Sequence, residues 1–223
     1  MDHGISNLNI KRFQTKLLAW YLSNGRKFLW RHEGRSEYEI IIAEVLLQRT
    51  KAETIEKFYQ NFIDKYPNWK IIGEASIEAI EIDLKPIGLY RQRAKRIKNL
   101  AIELNTRNGI IPGNRDELDQ IPMFGQYIAN AIELQLFNRN KPLLDVNMAR
   151  VLERYFGPRN LSDIRYDPYL QKLAHDVVNH KNSKQMSWAI LDFAAMICKS
   201  RNPKCITCFF SVSCKYFIYL KDK

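Results

Sequence analysis

Four cysteines near the end of the chain have a spacing typical of a metal-ligand set. Cys198, Cys205, Cys208 and Cys214 are separated by six, two and five residues. Four thiolates this close along the chain suit either a tetrahedral zinc ion or an iron-sulfur cube. Structural zinc sites usually contain two C-x2-C pairs, and only one such pair occurs here. The uneven spacing therefore favours a four-iron, four-sulfur (4Fe-4S) cluster as the cofactor.

Glu44 lies inside a short and strongly apolar run, Ile40-Ile41-Ile42-Ala43-Glu44-Val45-Leu46-Leu47. A helix that is apolar on nearly every face is expected to be buried. A carboxylate there costs free energy unless it has a partner or a task, and burial moves a carboxyl pKa towards the range of a general acid. Glu44 is therefore either a catalytic group or a structural glutamate, which would be paired with a core arginine or placed on a narrow polar face.

The segment Ile121-Pro122-Met123-Phe124-Gly125-Gln126-Tyr127-Ile128-Ala129 has the outline of a helix-hairpin-helix. It lies between a predicted helix that ends near Gln120 and another that runs to about Phe137. Such a hairpin directs backbone N–H groups and the positive end of its second helix towards a phosphate. The alternative interpretation is a simple turn between two helices.

A second acidic candidate is Asp145, in the segment Leu143-Leu144-Asp145-Val146-Asn147-Met148-Ala149-Arg150-Val151. The acid follows two leucines and precedes a predicted helix. Either Asp145 or Asn147 has the right side chain to cap that helix. A capping role and a chemical role for Asp145 both remain open at this point.

The elements that must hold these residues are predicted to be helices. Apolar residues recur at helical spacing in several segments, for example Trp188, Leu191 and Ala195, and period-two alternation is scarce. A helix start is marked at Ser36, with Glu39 three residues later as a capping box. The sequence therefore predicts an all-α fold.

The charge of the chain indicates a polyanion as its partner. Thirty-five Lys and Arg residues against 24 Asp and Glu residues give a net charge of +11. Nucleic acid is the first candidate for such a basic protein. Lys199, Arg201 and Lys204 lie between the first two cysteines, where they would add positive charge to the folded loop.

The sequence shows neither a signal peptide nor a membrane-spanning run. The strongest apolar stretch is short and interrupted by Glu44. We therefore expect a cytoplasmic protein in a reducing compartment, where clustered cysteines bind metal more often than they form disulfides.

These features, in this order, resemble the iron-sulfur branch of the helix-hairpin-helix (HhH-GPD) DNA glycosylases. That superfamily contains endonuclease III, the MutY-type adenine glycosylases and the archaeal thymine mismatch glycosylases. The resemblance runs from about Phe13 to Cys214 and includes the cysteine spacing. It implies two helical lobes: a helical barrel of residues 28–140 with the hairpin, and an iron-sulfur domain of residues 1–27 plus 141–223 that carries the catalytic Asp145.

Within this family, the residue at the position of Tyr127 distinguishes members that only excise the base from members that also cut the strand. Members that cut the strand as well carry a lysine at this position, which forms a Schiff base with the sugar. A phenol cannot form an imine, so we expect base excision without an efficient lyase step. Glu44, Tyr127 and Asp145 together look most like the subgroup that acts on thymine or uracil opposite guanine.

The resemblance assigns further residues to the DNA and the base. Trp30 and Arg31 are expected in the base pocket, although Leu29 replaces the proline usual before them. Met123 stands where the hairpin normally has a glycine, which predicts altered DNA contacts. The remaining expected DNA-binding or wedge residues are Arg49, Gln48, Leu89, Phe124 and Gly125. Arg49 as a plain phosphate contact and Leu89 as a core residue are the alternatives.

The implied mechanism begins with extrusion of a mispaired nucleotide from duplex DNA. Asp145 would stabilise the oxocarbenium-like sugar, and Glu44 would hydrogen-bond or protonate the departing base. The rival functions are a MutY-type adenine glycosylase, a modified-cytosine glycosylase and a non-catalytic DNA-damage-binding module. We expect a monomer whose partner is double-stranded DNA with a mismatched or damaged base.

Overall fold

The computed structural model describes residues 5–222, and within this range the protein is all-helical, without any strand. This confirms the predicted all-α class. The helices are α1 (Asn7–Asn24), α2 (Glu37–Leu47), α3 (Ala52–Lys65), α4 (Trp69–Glu74), α5 (Ile77–Leu84), α6 (Tyr90–Thr106), α7 (Arg115–Gln120), α8 (Gln126–Gln135), α9 (Val146–Phe156), α10 (Pro168–Val178), α11 (Ser183–Met196) and α12 (Lys215–Lys221). Two 3-10 helices span Leu29–Arg31 and Lys85–Ile87.

One compact unit consists of Lys27–Phe137 and contains α2 to α8 with both 3-10 helices. Its core is a single apolar cluster to which α2 contributes Ile41, Ile42 and Leu46, each at most 1% exposed. Because α2 is apolar on nearly every face beyond its first turn, it is buried in this core. The helix that bears Glu44 is therefore held by packing on several sides.

The start of α2 is fixed by the predicted capping box. Ser36 Oγ accepts a hydrogen bond from the backbone N–H of Glu39 at 3.2 Å, and a Glu39 carboxylate oxygen accepts one from the N–H of Ser36 at 2.8 Å. The two residues thereby satisfy two backbone donors that the first turn leaves without helical partners. The capping box is thus confirmed.

The other compact unit consists of Met1–Arg26 with Asn138–Lys223 and contains α1 and α9 to α12. Phe13 of α1 packs against the rings of Tyr155, Phe156 and Phe210, with ring centroids 4.8 to 5.3 Å apart. Aromatic packing of this kind buries a large apolar area. It joins the first helix to the last third of the chain.

The buried face of α11 does not follow the helical spacing of Trp188, Leu191 and Ala195. Ala195 is exposed, and the fully or nearly buried residues include Ala189, Ile190 and Phe193. Asp192 lies on the same buried face with no exposed area, because the guanidinium of Arg26 forms an ion pair with it at 2.8 Å. The apolar periodicity of the sequence did not reveal this face, since it contains a charge.

No helix within residues 5–222 has both the length and the apolar character needed to cross a membrane.

Candidate active site

Glu44 is a buried carboxylate, only 4% exposed, on α2. Tyr127 Oη donates a hydrogen bond to Glu44 Oε2 at 3.1 Å, and Gln135 Nε2 donates one to Oε1 at 2.5 Å. Each carboxylate oxygen thus accepts from a neutral side chain. These bonds offset part of the cost of burying the charge.

Both donors belong to α8, at its second and last residues. Positions eight residues apart lie on nearly the same face of a helix, a little over two turns from each other. One face of α8 therefore holds both oxygens of Glu44. Tyr127 is partly exposed, whereas Gln135 is 7% exposed and belongs to the interior.

The hairpin that precedes α8 is a tight turn from Ile121 to Gly125. The N–H of Phe124 donates to the Ile121 carbonyl at 3.0 Å, and the N–H of Gly125 donates to the Met123 carbonyl at 2.9 Å. Met123 has φ +71°, in the left-handed region that favours glycine. Phe124 is only 2% exposed and anchors the turn in the core.

The N-terminus of α8 offers a backbone surface for an anion. Gly125 is the N-cap and supplies no side-chain cap, and a Cβ placed on it would meet nothing within 4 Å. The start of a helix carries a partial positive charge. A phosphate can therefore approach the backbone of Gly125 without a steric obstacle.

Asp145 is the N-cap of α9. Its Oδ1 accepts hydrogen bonds from the backbone N–H groups of Asn147 at 2.9 Å and of Met148 at 2.8 Å. Its Oδ2 accepts one from Asn147 Nδ2 at 2.6 Å. The capping interpretation is therefore confirmed for Asp145, and capping also fixes the direction of the partly exposed carboxylate.

The cysteine segment encloses one apolar cavity. All four predicted ligand side chains line it, together with aromatic rings that include those of Phe13, Phe193 and Phe210. Each cysteine is a partly buried free thiol. Within the described residues 5–222, no three His, Cys, Asp or Glu side chains form a group that could hold a metal ion.

Arg154 of α9 holds the first part of this segment. Its Nη1 donates to the Lys199 carbonyl at 2.7 Å and lies 3.5 Å from Cys198 Sγ, and its Nη2 donates to the Ser200 carbonyl at 3.2 Å. Lys199 itself is exposed. The guanidinium therefore positions the loop and adds positive charge next to a thiol.

Burial controls the protonation of the cavity thiols. The pKa of Cys208 is raised to about 11. Burial is the largest cause and the neighbouring cysteines add to it, whereas a hydrogen bond from the Phe210 N–H lowers the pKa. The pKa values of Cys205 and Cys214 are also raised, first by burial. A bound cation would be needed to stabilise these three groups as thiolates.

Arg49 and Leu89, the two expected wedge residues, are both exposed and both adopt positive φ values, +61° and +53°. Leu89 is 49% exposed, which rules out the alternative of a core residue. Arg93, only 6% exposed, connects the two turns that carry Arg49 and Leu89. Arg93 belongs to α6, which Leu89 caps, and the Arg93 guanidinium donates to the Gln48 carbonyl at 3.2 Å, next to Arg49. Gln48 ends α2 and its side chain is partly buried.

The residues expected in the base pocket lie mainly against the core. Trp30 is 4% exposed, with its ring stacked on Phe28 at 4.6 Å and edge-on to Tyr59 at 5.5 Å. The guanidinium of Arg31 lies 5.0 Å from the centre of the Phe28 ring. Trp30 and Arg31 thus share the Phe28 ring as a neighbour, and their place in the base pocket stays a prediction.

The structure brings Glu44, Tyr127 and the hairpin together in the unit Lys27–Phe137, whereas Asp145 and the cysteines belong to the other unit. Three functional neighbours escaped the sequence reasoning: Gln135, Arg93 and Arg154. Gln135 had a signal, since it is a polar residue inside Ile132-Glu133-Leu134-Gln135-Leu136. Arg93 and Arg154 lie in basic helices and had none.

Comparison with known proteins places these residues in a family. The model of the "HhH-GPD superfamily base excision DNA repair protein" family matches residues 42–176. A thymine/uracil-DNA glycosylase of Methanothermobacter thermautotrophicus is 34% identical over 214 residues, which cover 95% of this chain and 96% of the relative.

Solved structures have the same fold. A thermostable thymine-DNA glycosylase matches with a TM-score of 0.87 and 34% identity, over 96% of this chain and 98% of that one. An endonuclease III–DNA complex matches with a TM-score of 0.82 and 21% identity, over 98% and 100%. The second likeness concerns the fold alone.

Proposed function

Because the chain belongs to the HhH-GPD superfamily of base excision DNA repair proteins, we propose that it is a monofunctional DNA glycosylase for thymine or uracil opposite guanine. The observation that carries this proposal is the hydrogen bond between Tyr127 and the buried Glu44. Tyr127 is a phenol at the position where strand-cutting members of the family carry a lysine. The hydrogen bond joins it to Glu44, the acid that is expected next to the base. The relatives named for thymine and uracil support the choice of base.

The reaction begins with a mispaired nucleotide leaving the duplex. Extrusion costs a few kcal/mol and is cheapest for a mispair, so mispairs are selected at this step. Arg49 and Leu89 are proposed to fill the vacated stack, since both are exposed on strained turns. Arg93 would hold these two turns in register.

Two carboxylates would then divide the chemistry. As the N-glycosidic bond breaks, positive charge develops on the sugar and negative charge on the departing base. Asp145, whose carboxylate is oriented by three donors, would stabilise the sugar. Glu44, with Tyr127, would contact the base. Water then completes the hydrolysis and leaves an abasic site.

The DNA backbone would be bound by two surfaces. The N-terminus of α8 with its Gly125 cap offers backbone N–H groups to one phosphate. Lys199, Arg201 and Lys204, all exposed, add positive charge from the cysteine segment. Both contacts are independent of sequence, as the search for rare mispairs requires.

The four cysteines are proposed to hold a 4Fe-4S cluster, and the residues present are compatible with it. The thiols share one apolar cavity, yet no three of the described metal-binding side chains form a group suited to one ion. A cube binds each thiolate at a separate iron, so it needs wider spacing than one zinc ion does. The cluster would supply a structural cross-link, since neither step of the reaction changes an oxidation state.

A panel of labelled duplexes tests the proposed activity. Each duplex contains one target: T opposite G, U opposite G, T opposite A, A opposite G, A opposite oxidised guanine, or 5-methylcytosine opposite G. Alkali after incubation converts abasic sites into breaks. We expect breaks in the first two duplexes only, and none without alkali.

Other patterns would identify the rival functions. Release of adenine indicates a MutY-type enzyme, release of 5-methylcytosine a modified-cytosine enzyme, and tight binding without any release a damage-binding module. Iron and sulfide analysis of the purified protein tests the cluster separately. A Cys208→Ala variant should lose iron, and retention of zinc instead of iron would contradict the cluster.

A further inference from the structure

We propose that Gln135 is a positioning residue that keeps Glu44 ionised, so that Glu44 meets the extruded base as a hydrogen-bond acceptor and not as a proton donor. This inference rests on the proposed glycosylase function. It selects one of the two roles that remained open for Glu44, and it assigns a task to a residue that no motif includes.

The geometry of the Gln135 amide supports an ionised partner. Its Nε2 lies 2.5 Å from Glu44 Oε1, and both side chains are at least 93% buried. An amide nitrogen donates hydrogen bonds and cannot accept them. The facing oxygen of Glu44 must therefore act as an acceptor, so Oε1 carries no proton.

The other oxygen of Glu44 has a donor as well. Tyr127 Oη donates to Oε2 at 3.1 Å, so α8 supplies one donor to each oxygen. Hydrogen bonds to the charged form of an acid favour that form. Two such bonds oppose the protonation that burial alone would favour.

The surroundings of α2 do not reverse this preference. The elements packed against α2 include α3, α8 and the 3-10 helix Leu29–Arg31. Titratable or charged groups that reach α2 include Tyr127, Tyr59 at the Glu39 carbonyl, and Arg93 of α6 at the Val45 and Leu46 carbonyls, and Arg31 is on the 3-10 helix. The acid of α8, Glu133, is in an ion pair with Arg115 at 2.8 Å, and the arginines near α2 favour an anion.

An acceptor at this place distinguishes the bases chemically. Thymine and uracil carry a ring N–H between two carbonyls, which can donate to a carboxylate. The ring nitrogens of cytosine and adenine at the base-pairing edge are acceptors and would face the carboxylate with a lone pair. An ionised Glu44 therefore favours the imide bases, and a protonated one would favour the others.

The test compares excision rates across pH for the wild type, Gln135→Leu and Gln135→Glu, in single turnover with T opposite G. Removal of the donor makes Glu44 easier to protonate, so Gln135→Leu should fall behind the wild type increasingly as pH is lowered, by about tenfold or more, and approach the wild-type rate as pH is raised. Gln135→Glu places a second carboxyl group next to Glu44, which favours protonation of the pair. As pH is lowered, the excision rate of this variant should therefore begin to fall at a higher pH than that of Gln135→Leu.

Gln14→Leu is the matched control. Gln14 is also 7% exposed and donates through Nε2, but to the Val177 carbonyl in the other unit. It should lower thermal stability without moving the pH profile. Asp145 is unchanged in every variant, so any acid limb that it contributes is common to all.

The outcomes separate the two levels of the argument. A wild type that releases no base from any duplex defeats the proposed function. If the wild type is active and both Gln135 variants slow it by one factor at every pH, Gln135 is structural and the inference is wrong. If Gln135→Leu is faster than the wild type near neutral pH, Glu44 is a proton donor and the inference is also wrong.

Discussion

The guanidinium of Arg150 donates from Nη1 to the side-chain oxygen of Asn147 at 3.1 Å, and this bond leaves the Asn147 amide nitrogen facing Asp145. Arg150 is itself held by the carbonyls of Ala194 at 3.1 Å and Cys198 at 2.9 Å. An arginine offers only donors, so Asn147 has one orientation that satisfies both neighbours. The direction of the Asp145 carboxylate thus depends on the end of α11 and on the first cysteine.

Replacement of Asn147 by alanine tests this dependence. It removes the donor at Asp145 Oδ2 but keeps both backbone bonds to Oδ1. We expect about tenfold slower single-turnover excision, the equivalent of one charged hydrogen bond. Binding to a duplex with an abasic site should be unchanged. Asn140→Ala, which removes an exposed bond to Asn179, is the control and should leave the rate unaltered.

Asp145 combines a cap with a proposed catalytic charge, and two substitutions separate these roles. Asparagine is as good an N-cap as aspartate, whereas alanine costs about 1 kcal/mol of stability. Asp145→Asn and Asp145→Ala should both lose most excision, but urea unfolding should find the alanine variant less stable. Normal excision by Asp145→Asn would exclude a role for the charge.

Much of this site was accessible from the sequence because local rules govern it. The capping box at Ser36, the acid in the apolar run at Glu44 and the cap at Asp145 each depend on a few neighbouring residues. Gln135 was missed because its partner is 91 residues away. The buried face of α11 does not follow the apolar spacing for the same reason, since the ion pair of Asp192 with Arg26 spans the chain.

Met123→Gly should improve DNA binding with little change in stability. A non-glycine residue at φ +71° carries roughly 1–2 kcal/mol of strain, which glycine relieves. The lost packing of the partly buried side chain and the entropy of glycine offset that gain. The smaller residue also lets phosphate approach the hairpin amide. Fluorescence anisotropy with a duplex should find tighter binding, and Asn138→Gly, at φ +52°, should not change it.

Asp167 predicts an acid-sensitive contribution to stability. Its burial alone would raise its pKa, but backbone N–H bonds from Leu161, Leu170 and Asn160 lower it below 3.8. A lowered pKa stabilises the folded state above the unfolded pKa, and the contribution is lost as pH falls through the folded value. Asp167→Asn turns an amide donor towards these N–H groups, which should cost about 1–3 kcal/mol at neutral pH. Denaturant titrations should find this difference shrinking below about pH 4, and a constant difference would contradict the assignment.

Tyr127→Lys should convert the protein into an enzyme that forms a covalent adduct with the sugar. An unprotonated lysine amine displaces the base at the anomeric carbon, and opening of the sugar ring with loss of a proton from nitrogen gives an imine, which borohydride reduces to a stable amine. Glu44 would attract the new ammonium and favour its protonated form, so the adduct should accumulate more at alkaline pH. With a duplex that contains T opposite G, denaturing gels should show the trapped protein–DNA adduct for Tyr127→Lys and not for the wild type. Tyr127→Phe is the control, because it removes the hydroxyl without adding an amine. Efficient trapping of the wild type would overturn the monofunctional assignment.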